Sequence, residues 1–299
     1  EITEGDWSSD VCSSDLWLLL MCQLLALNSN HPSAITFSFE GFVARGGLTD
    51  HHRDGWGIAF FEDTGCRLFV DYHASIDSPV AQLIKHYPIK STNIIAHIRR
   101  ATQGKISLPN CHPFMRELWG KYWVFAHNGD LKSFHPALNG QYLPVGFTDS
   151  EAAFCYILQS LRERHPYREP SADILFQSIK EIVSEIAQHG VFNFLLSNGD
   201  AMFAYCSTNL HWVQRGYPFS TAKLVDCEMS IDFSQHNHPN DLITVIATLP
   251  LTSDEEWHKF GSGELNMFVN GEIVRQYKPA LTIEPDAEGS EEYSEDSAC

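Results

Sequence analysis

Between residue 21 and about residue 275 the chain alternates short apolar runs with clusters of turn residues. Residues 22–27 read as a strand, and residues 33–45 have helical spacing with Ile35, Phe39 and Phe42 on one side. Residues 55–61 form a strand opened by two glycines, with residues 66–72 as its hairpin partner. Residues 93–99 and 122–127, rich in Ile, Val and aromatics, are further strands. Two helices follow. Thr148, Asp149, Ser150 and Glu151 match a capping box ahead of residues 152–161, and Ser171 caps a second helix striped by Leu175, Ile179, Ile182, Val183 and Ile186. Residues 191–197 and 201–206 predict a hairpin around Asn198-Gly199. Residues 242–247 and 267–275 add strands, the last turning at Asn270-Gly271. Strands, two helices, then strands again predict an α+β domain of two antiparallel sheets face to face with helices outside.

The two ends depart from this pattern. Residues 6–16, DWSSDVCSSDL, have no apolar period, repeat Ser-Ser-Asp, and resemble translated library-adapter sequence, so residues 1–20 are read as a non-native or removed extension. A secretion signal fits poorly, because the segment before the apolar run is acidic, and a self-cleaved propeptide is the remaining alternative. Residues 284–299 carry seven acids and no base and read as a solvated acidic tail, leaving residues 21–283 as the folded domain. The formal charge of −18 is largely a property of these ends: without their acids, 26 acids face 20 bases. No basic surface suits nucleic acid, and no apolar run is long enough to span a bilayer. Eight cysteines without a C-x-x-C pair point to free thiols and a cytoplasmic setting. His51, His52, His236 and His238 match no standard metal spacing, so no metal or cofactor is expected.

The chemistry lies in five segments. Once residues 1–21 are trimmed, Cys22 holds a thiol and a free α-amine on one residue, and that amine, of unperturbed pKa roughly 7.7–8.0, can take the thiol proton. Arg99, in His97-Ile98-Arg99-Arg100-Ala101-Thr102-Gln103-Gly104, leaves a strand end where its guanidinium can grip a carboxylate. In Ala126-His127-Asn128-Gly129-Asp130 an Asn amide and the next backbone N–H could converge on one oxyanion, although Asn-Gly alone more often marks a turn. Asp149 is either an ordinary first-turn acid or a partner for a substrate ammonium. The glycines of Arg53-Asp54-Gly55-Trp56-Gly57 permit close backbone approach.

Met21-Cys22, Asp-Gly-Trp-Gly-Ile, His-x-Arg-x-Ala-Thr-x-Gly, His112-Pro113-Phe114, Phe-Ala-His-Asn-Gly and Thr-Asp-Ser-Glu occur here in the order that resembles the class II glutamine amidotransferases, which are N-terminal-nucleophile hydrolases. The chain looks most like the stand-alone bacterial members. The resemblance implies a four-layer αββα sandwich. It implies that Cys22 attacks the amide carbon, Asn128 and Gly129 hold the oxyanion, Arg99 grips the substrate α-carboxylate and Asp149 its α-ammonium. His97, Thr102 and His127 would support the pocket. Ile98, Arg100 and Gln103 replace residues of the sugar-amidating relatives, and Leu249 stands where close relatives often have Glu. The expected activity is release of glutamate and ammonia from glutamine through a γ-glutamyl thioester, the ammonia passing to a separate accepting enzyme. A γ-glutamyl hydrolase acting on a larger thiol or peptide conjugate is the alternative. A catalytically dead binding protein follows if residues 1–21 are retained.

Overall fold

A computed structural model describes residues 22–49, 52–87, 89–100 and 106–279. The expected extension (1–20) and acidic tail (284–299) lie outside the described residues.

Fifteen strands and four α-helices are arranged in layers among the described residues. The first sheet contains β1 (Gln23–Ala34), β2 (Trp56–Glu62), β3 (Gly65–Asp71), β4 (Lys90–Ile98), β9 (His211–Arg215), β12 (Ile243–Ala247) and β13 (His258–Lys259), in the order β13-β9-β12-β1-β4-β2-β3. The second contains β5 (Phe114–Leu118), β6 (Lys121–Leu131), β7 (Gly190–Ser197), β8 (Met202–Cys206), β14 (Glu264–Val269) and β15 (Glu272–Tyr277), in the order β15-β14-β8-β7-β6-β5. Every pairing in both sheets is antiparallel. Strands β10 (Thr221–Lys223) and β11 (Ser230–Asp232) form a separate ribbon.

The core is in three slabs, and strand alternation dictates which side chain enters which. Along β1, Leu24 and Ala26 face the second sheet, while Leu25 and Leu27 face α1 (Thr36–Ala44) and α2 (Pro79–His86). Along β6, Val124 and Ala126 face the first sheet, while Trp123 and Phe125 face α3 (Asp149–Arg164) and α4 (Ala172–Ile186). The slab between the sheets contains many small residues, including Ala26, Ala59, Ala126 and Ala204, which lets the backbones approach closely. Burial on both faces explains why β1 and β6 read as near-continuous apolar runs rather than alternating ones. The expected αββα order is the one observed.

Several local expectations change. Asn128-Gly129 is not a turn: β6 runs straight through it to Leu131. β1 continues to Ala34, so α1 starts only at Thr36. Ser171 occupies the N-cap of α4 but its side chain makes no capping bond. Thr148 does cap α3, its hydroxyl accepting from the Glu151 N–H at 3.2 Å, but the reciprocal half of the box is absent. The Glu151 carboxylate instead accepts from Arg116 Nη2 at 2.5 Å and from the Gly146 N–H at 2.7 Å. Strands β5, β9, β10, β11 and β13 lie in segments too short for a period to predict, while helix α2, absent from the sequence reading, has local signals of its own: Pro79 at its first position and Ser78 as N-cap, its hydroxyl accepting from the Ala81 N–H at 3.4 Å. The hairpins at Asn198-Gly199 and Asn270-Gly271 form as expected, the latter with φ of 55° and 80° at its two central residues.

One turn into α3, Phe154 stacks on Phe125 with ring centroids 5.2 Å apart and planes 6° apart. Phe154→Ala is expected to cost about 3–5 kcal/mol in urea denaturation, the usual penalty for emptying a fully buried Phe site.

Candidate active site

The register of the first sheet gathers three chain segments at one corner. β1 begins where β4 ends, with Gln23 opposite Ile98, and β12 ends beside the same point, with Ala247 opposite Leu25. Cys22, Arg99 and Thr248 are therefore neighbours by strand pairing alone. The Arg100 N–H donates to Cys22 Sγ at 3.2 Å, and the thiol donates to the Arg100 carbonyl at 3.3 Å. Burial pushes the Cys22 thiol up from its ordinary value, opposed by the Arg100 N–H and the Arg99 charge. The sulfur thus rests as a thiol at neutral pH and needs a base at the moment of attack.

The second sheet supplies the facing wall. β5 pairs with β6 only over Lys121–Phe125, so the outer edge of β6 beyond Ala126 is open. Asn128 O accepts from Asn193 Nδ2 at 3.0 Å on the β7 side. A trans peptide points its C=O and the following N–H in opposite directions, so the Gly129 N–H faces the open edge. The Phe192 N–H, opposite Gly129, donates away from β6 to Ser207 Oγ at 2.8 Å, which marks the same non-hydrogen-bonded pair. Gly129 must be glycine: a Cβ there would lie 1.8 Å from the Val191 carbonyl oxygen and 2.5 Å from His127 Nε2. The Asn128 amide bridges the sheets, donating to the Cys22 carbonyl at 2.5 Å and to Thr248 Oγ1 at 3.5 Å.

A cleft of about 750 Å³ opens from this corner, and Cys22, Arg99, His127, Gly129 and Asp149 all line it. Arg99 is held by its backbone, its N–H donating to the Gly55 carbonyl at 2.8 Å and its carbonyl accepting from Asp54 at 3.2 Å. Gly55, at φ +108°, makes that turn. Asp149 is the first residue of α3, and its Oδ2 accepts from the Leu131 N–H at 2.8 Å. His127 Nε2 donates to the Val191 carbonyl at 3.1 Å, leaving Nδ1 to face the Ser150 hydroxyl at 2.8 Å. Asn128 and His97 are placed behind the cleft rather than in its wall. His97 stands edge-on to His112, ring centroids 4.2 Å apart. Thr102 lies outside the described residues. Burial holds His97 and His112 well below the usual imidazole range, and the nearby His127 and Arg99 push the same way. Burial also lowers His127, with Asp149 pulling against it.

The model of the family Glutamine amidotransferases class-II matches residues 21–291. The chain belongs to the class II glutamine amidotransferases. This amidotransferase is 50% identical to YafJ of Escherichia coli (strain K12), over 85% of this chain and 100% of that protein. The crystal structure of a predicted glutamine amidotransferase from Pseudomonas aeruginosa PA01 is 42% identical, covers 85% of this chain and 100% of its own, and superposes with a TM-score of 0.69. The glutamine phosphoribosylpyrophosphate amidotransferase of B. subtilis shares the fold at 15% identity and a TM-score of 0.55, over 87% of this chain and 50% of its own.

Sequence reasoning about this amidotransferase passed over several residues that build the corner. Arg45, buried in α1's C-cap, donates to Asp226, to Gln23 Oε1, and to the carbonyls of Leu249 and Pro250, tying the residue after Cys22 to the loop after β12. Thr248 accepts from the Leu24 N–H at 2.9 Å and from Asn128. Neither has a local signal, because their partners lie 22 to 224 residues away. Leu249 contributes only its carbonyl to this network.

The buried histidines give the amidotransferase an acid-sensitive fold. Below about pH 6.5 the unfolded chain protonates His97 and His112 while the folded protein does not, so stability falls as pH drops, by about 1.4 kcal/mol per pH unit for each histidine. Urea midpoints between pH 7.5 and 5 are expected to show this slope, and His97→Gln combined with His112→Gln to flatten it.

Proposed function

We propose that the protein cleaves the γ-amide of glutamine, or of a γ-glutamyl amide, through a γ-glutamyl thioester on Cys22. The observation that carries the reading is the convergence of the Cys22 thiol, the Arg99 guanidinium, the outward Gly129 N–H and the Asp149 carboxylate on one cleft. Arg99 binds the α-carboxylate bidentately and Asp149 the α-ammonium, which sets the γ-carbonyl over the sulfur.

With Cys22 as the first residue of the processed chain, its α-amine takes the thiol proton as sulfur bonds the amide carbon. The carbonyl π electrons move onto oxygen, where the Gly129 N–H stabilises the charge and the Asn128 amide, on turning from the Cys22 carbonyl that it holds in the resting site, supplies a second donor. The tetrahedral adduct collapses, the C–N bond breaks, and the α-ammonium returns its proton to the leaving amine. Water, deprotonated by the same amine, then adds to the thioester. Collapse expels the thiolate, which regains the proton, and glutamate leaves. The three neutral imidazoles keep positive charge away from the ammonium end of the substrate. A separate enzyme that takes up the ammonia is part of the proposal. The size of the cleft favours γ-glutamyl amides with a larger amine as additional substrates, because free glutamine fills a fraction of a volume typical of drug-sized ligands.

Incubation with diazo-oxo-norleucine followed by mass spectrometry is expected to return one label, on a Cys22 that carries a free amine. A label elsewhere, or a chain that retains residues 1–21 yet releases glutamate, would contradict the mechanism. Cys22→Ala is expected to abolish glutamate release. Asp149→Asn keeps the acceptor for the Leu131 N–H but loses the charge, so KM for glutamine should rise about tenfold or more with a smaller change in kcat. A panel of glutamine and γ-glutamyl amides of increasing leaving-group size reads out the preferred amine.

A further inference from the structure

We infer that Asn193, fully buried in β7, is a positioning residue for the oxyanion-binding peptide, an assignment that rests on the reading of Gly129 as oxyanion donor. Its amide has all of its bonds filled. Oδ1 accepts from the Ser207 and Thr208 N–H groups, each at 3.0 Å, and Nδ2 donates to Thr208 Oγ1 at 2.8 Å and to the Asn128 carbonyl at 3.0 Å. Two N–H groups on one side of the amide leave no ambiguity about which end is oxygen, so the donor must face Asn128. Asn193 is fully excluded from solvent, and the bond it makes has no water to compete with it.

The carbonyl it grips belongs to the peptide that carries the Gly129 N–H. Asn193 therefore acts on that N–H in two ways. It adds a side-chain bond to the β7 ladder in fixing the rotation of the peptide plane. It also withdraws electron density from the Asn128 oxygen, and a peptide whose carbonyl accepts a strong bond is a better donor at its N–H. The loop after β8 thus sets the strength of a donor on β6, one strand away. Asn193 touches neither the sulfur nor the cleft.

Asn193→Asp preserves the two Oδ1 contacts but sets an oxygen against the Asn128 carbonyl. With γ-glutamyl amide as substrate, kcat is expected to fall about tenfold, a part of the roughly 100-fold or greater loss seen when a whole oxyanion donor is removed, while KM changes little. Alkylation of Cys22 by iodoacetamide develops no oxyanion, and its rate should be unchanged. In protein carrying 15N-glycine, the Gly129 amide resonance should move upfield. Thr208→Val, at an exposed position, removes one anchor of the amide and should shift kcat and the Gly129 resonance in the same direction by less; it decides the matter if Asn193→Asp does not fold. An unchanged kcat and resonance would overturn the assignment, as would a parallel loss of alkylation rate, which would put the effect on the nucleophile. If the wild-type protein releases no glutamate, the proposed function fails, yet the Gly129 resonance still reports whether Asn193 controls that peptide.

Discussion

The Asn128 amide donates to the carbonyl of Cys22 at 2.5 Å, and this bond joins the beginning of the first sheet to the open edge of the second. Everything else at the site depends on that meeting. It occurs because the slab between the sheets contains alanines where bulkier residues would hold the strands apart. Separately, β5 is too short to cover the edge of β6 beyond Phe125. A longer β5 would satisfy the backbone of Gly129 and leave no donor facing the cleft. The corner is therefore a place where a sheet has been left incomplete, with an exposed backbone N–H that the proposed mechanism puts to chemical use.

Charge is handled by separation. Arg99 and Asp149 come from opposite sheets, one at the end of β4 and the other at the first turn of α3, and both line the cleft. An ion pair between them would cancel the two charges that the proposed function assigns to an amino acid head. Each is instead held by backbone: Arg99 by Asp54 and Gly55, Asp149 by Leu131. Burial keeps His97, behind the cleft, and His112, in its wall, neutral, so neither adds positive charge beside Arg99.

A second feature is a set of buried side chains behind the wall that tie distant parts of the chain together. Arg45, Thr248, Glu151 and Asn193 each connect two segments and leave few bonds unmade. Such networks cost little when complete and much when one member is lost, because the remaining groups are buried without partners. Glu151 illustrates the point: placed to close a capping box, it turns away to Arg116 and Gly146, and so shapes the loop that forms the cleft rim.

Much of this was legible in the sequence. Long strands such as β4, β6 and β7 have apolar runs with strong β-propensity, and α3 and α4 have clear period and, for α3, a working Thr148 cap. The ordered motifs named the family and pointed to Cys22, Arg99, Asn128, Gly129 and Asp149, because these candidate groups sit in short local patterns with distinctive residue types. The short strands β9, β10, β11 and β13 were not legible, since their pairing rather than their own composition makes them regular, whereas helix α2 had a legible start in Ser78-Pro79 that the sequence reading missed. Nor did the sequence reveal that Asn128-Gly129 stays in a strand: local preference favours a turn, and only the pairing with Asn193 and Phe192 across β7 overrides it. The chain alone determined which groups are available for chemistry. The tertiary structure decided which way they point, because hydrogen-bond partners 65 to 243 residues apart in sequence become neighbours only when both sheets are in place.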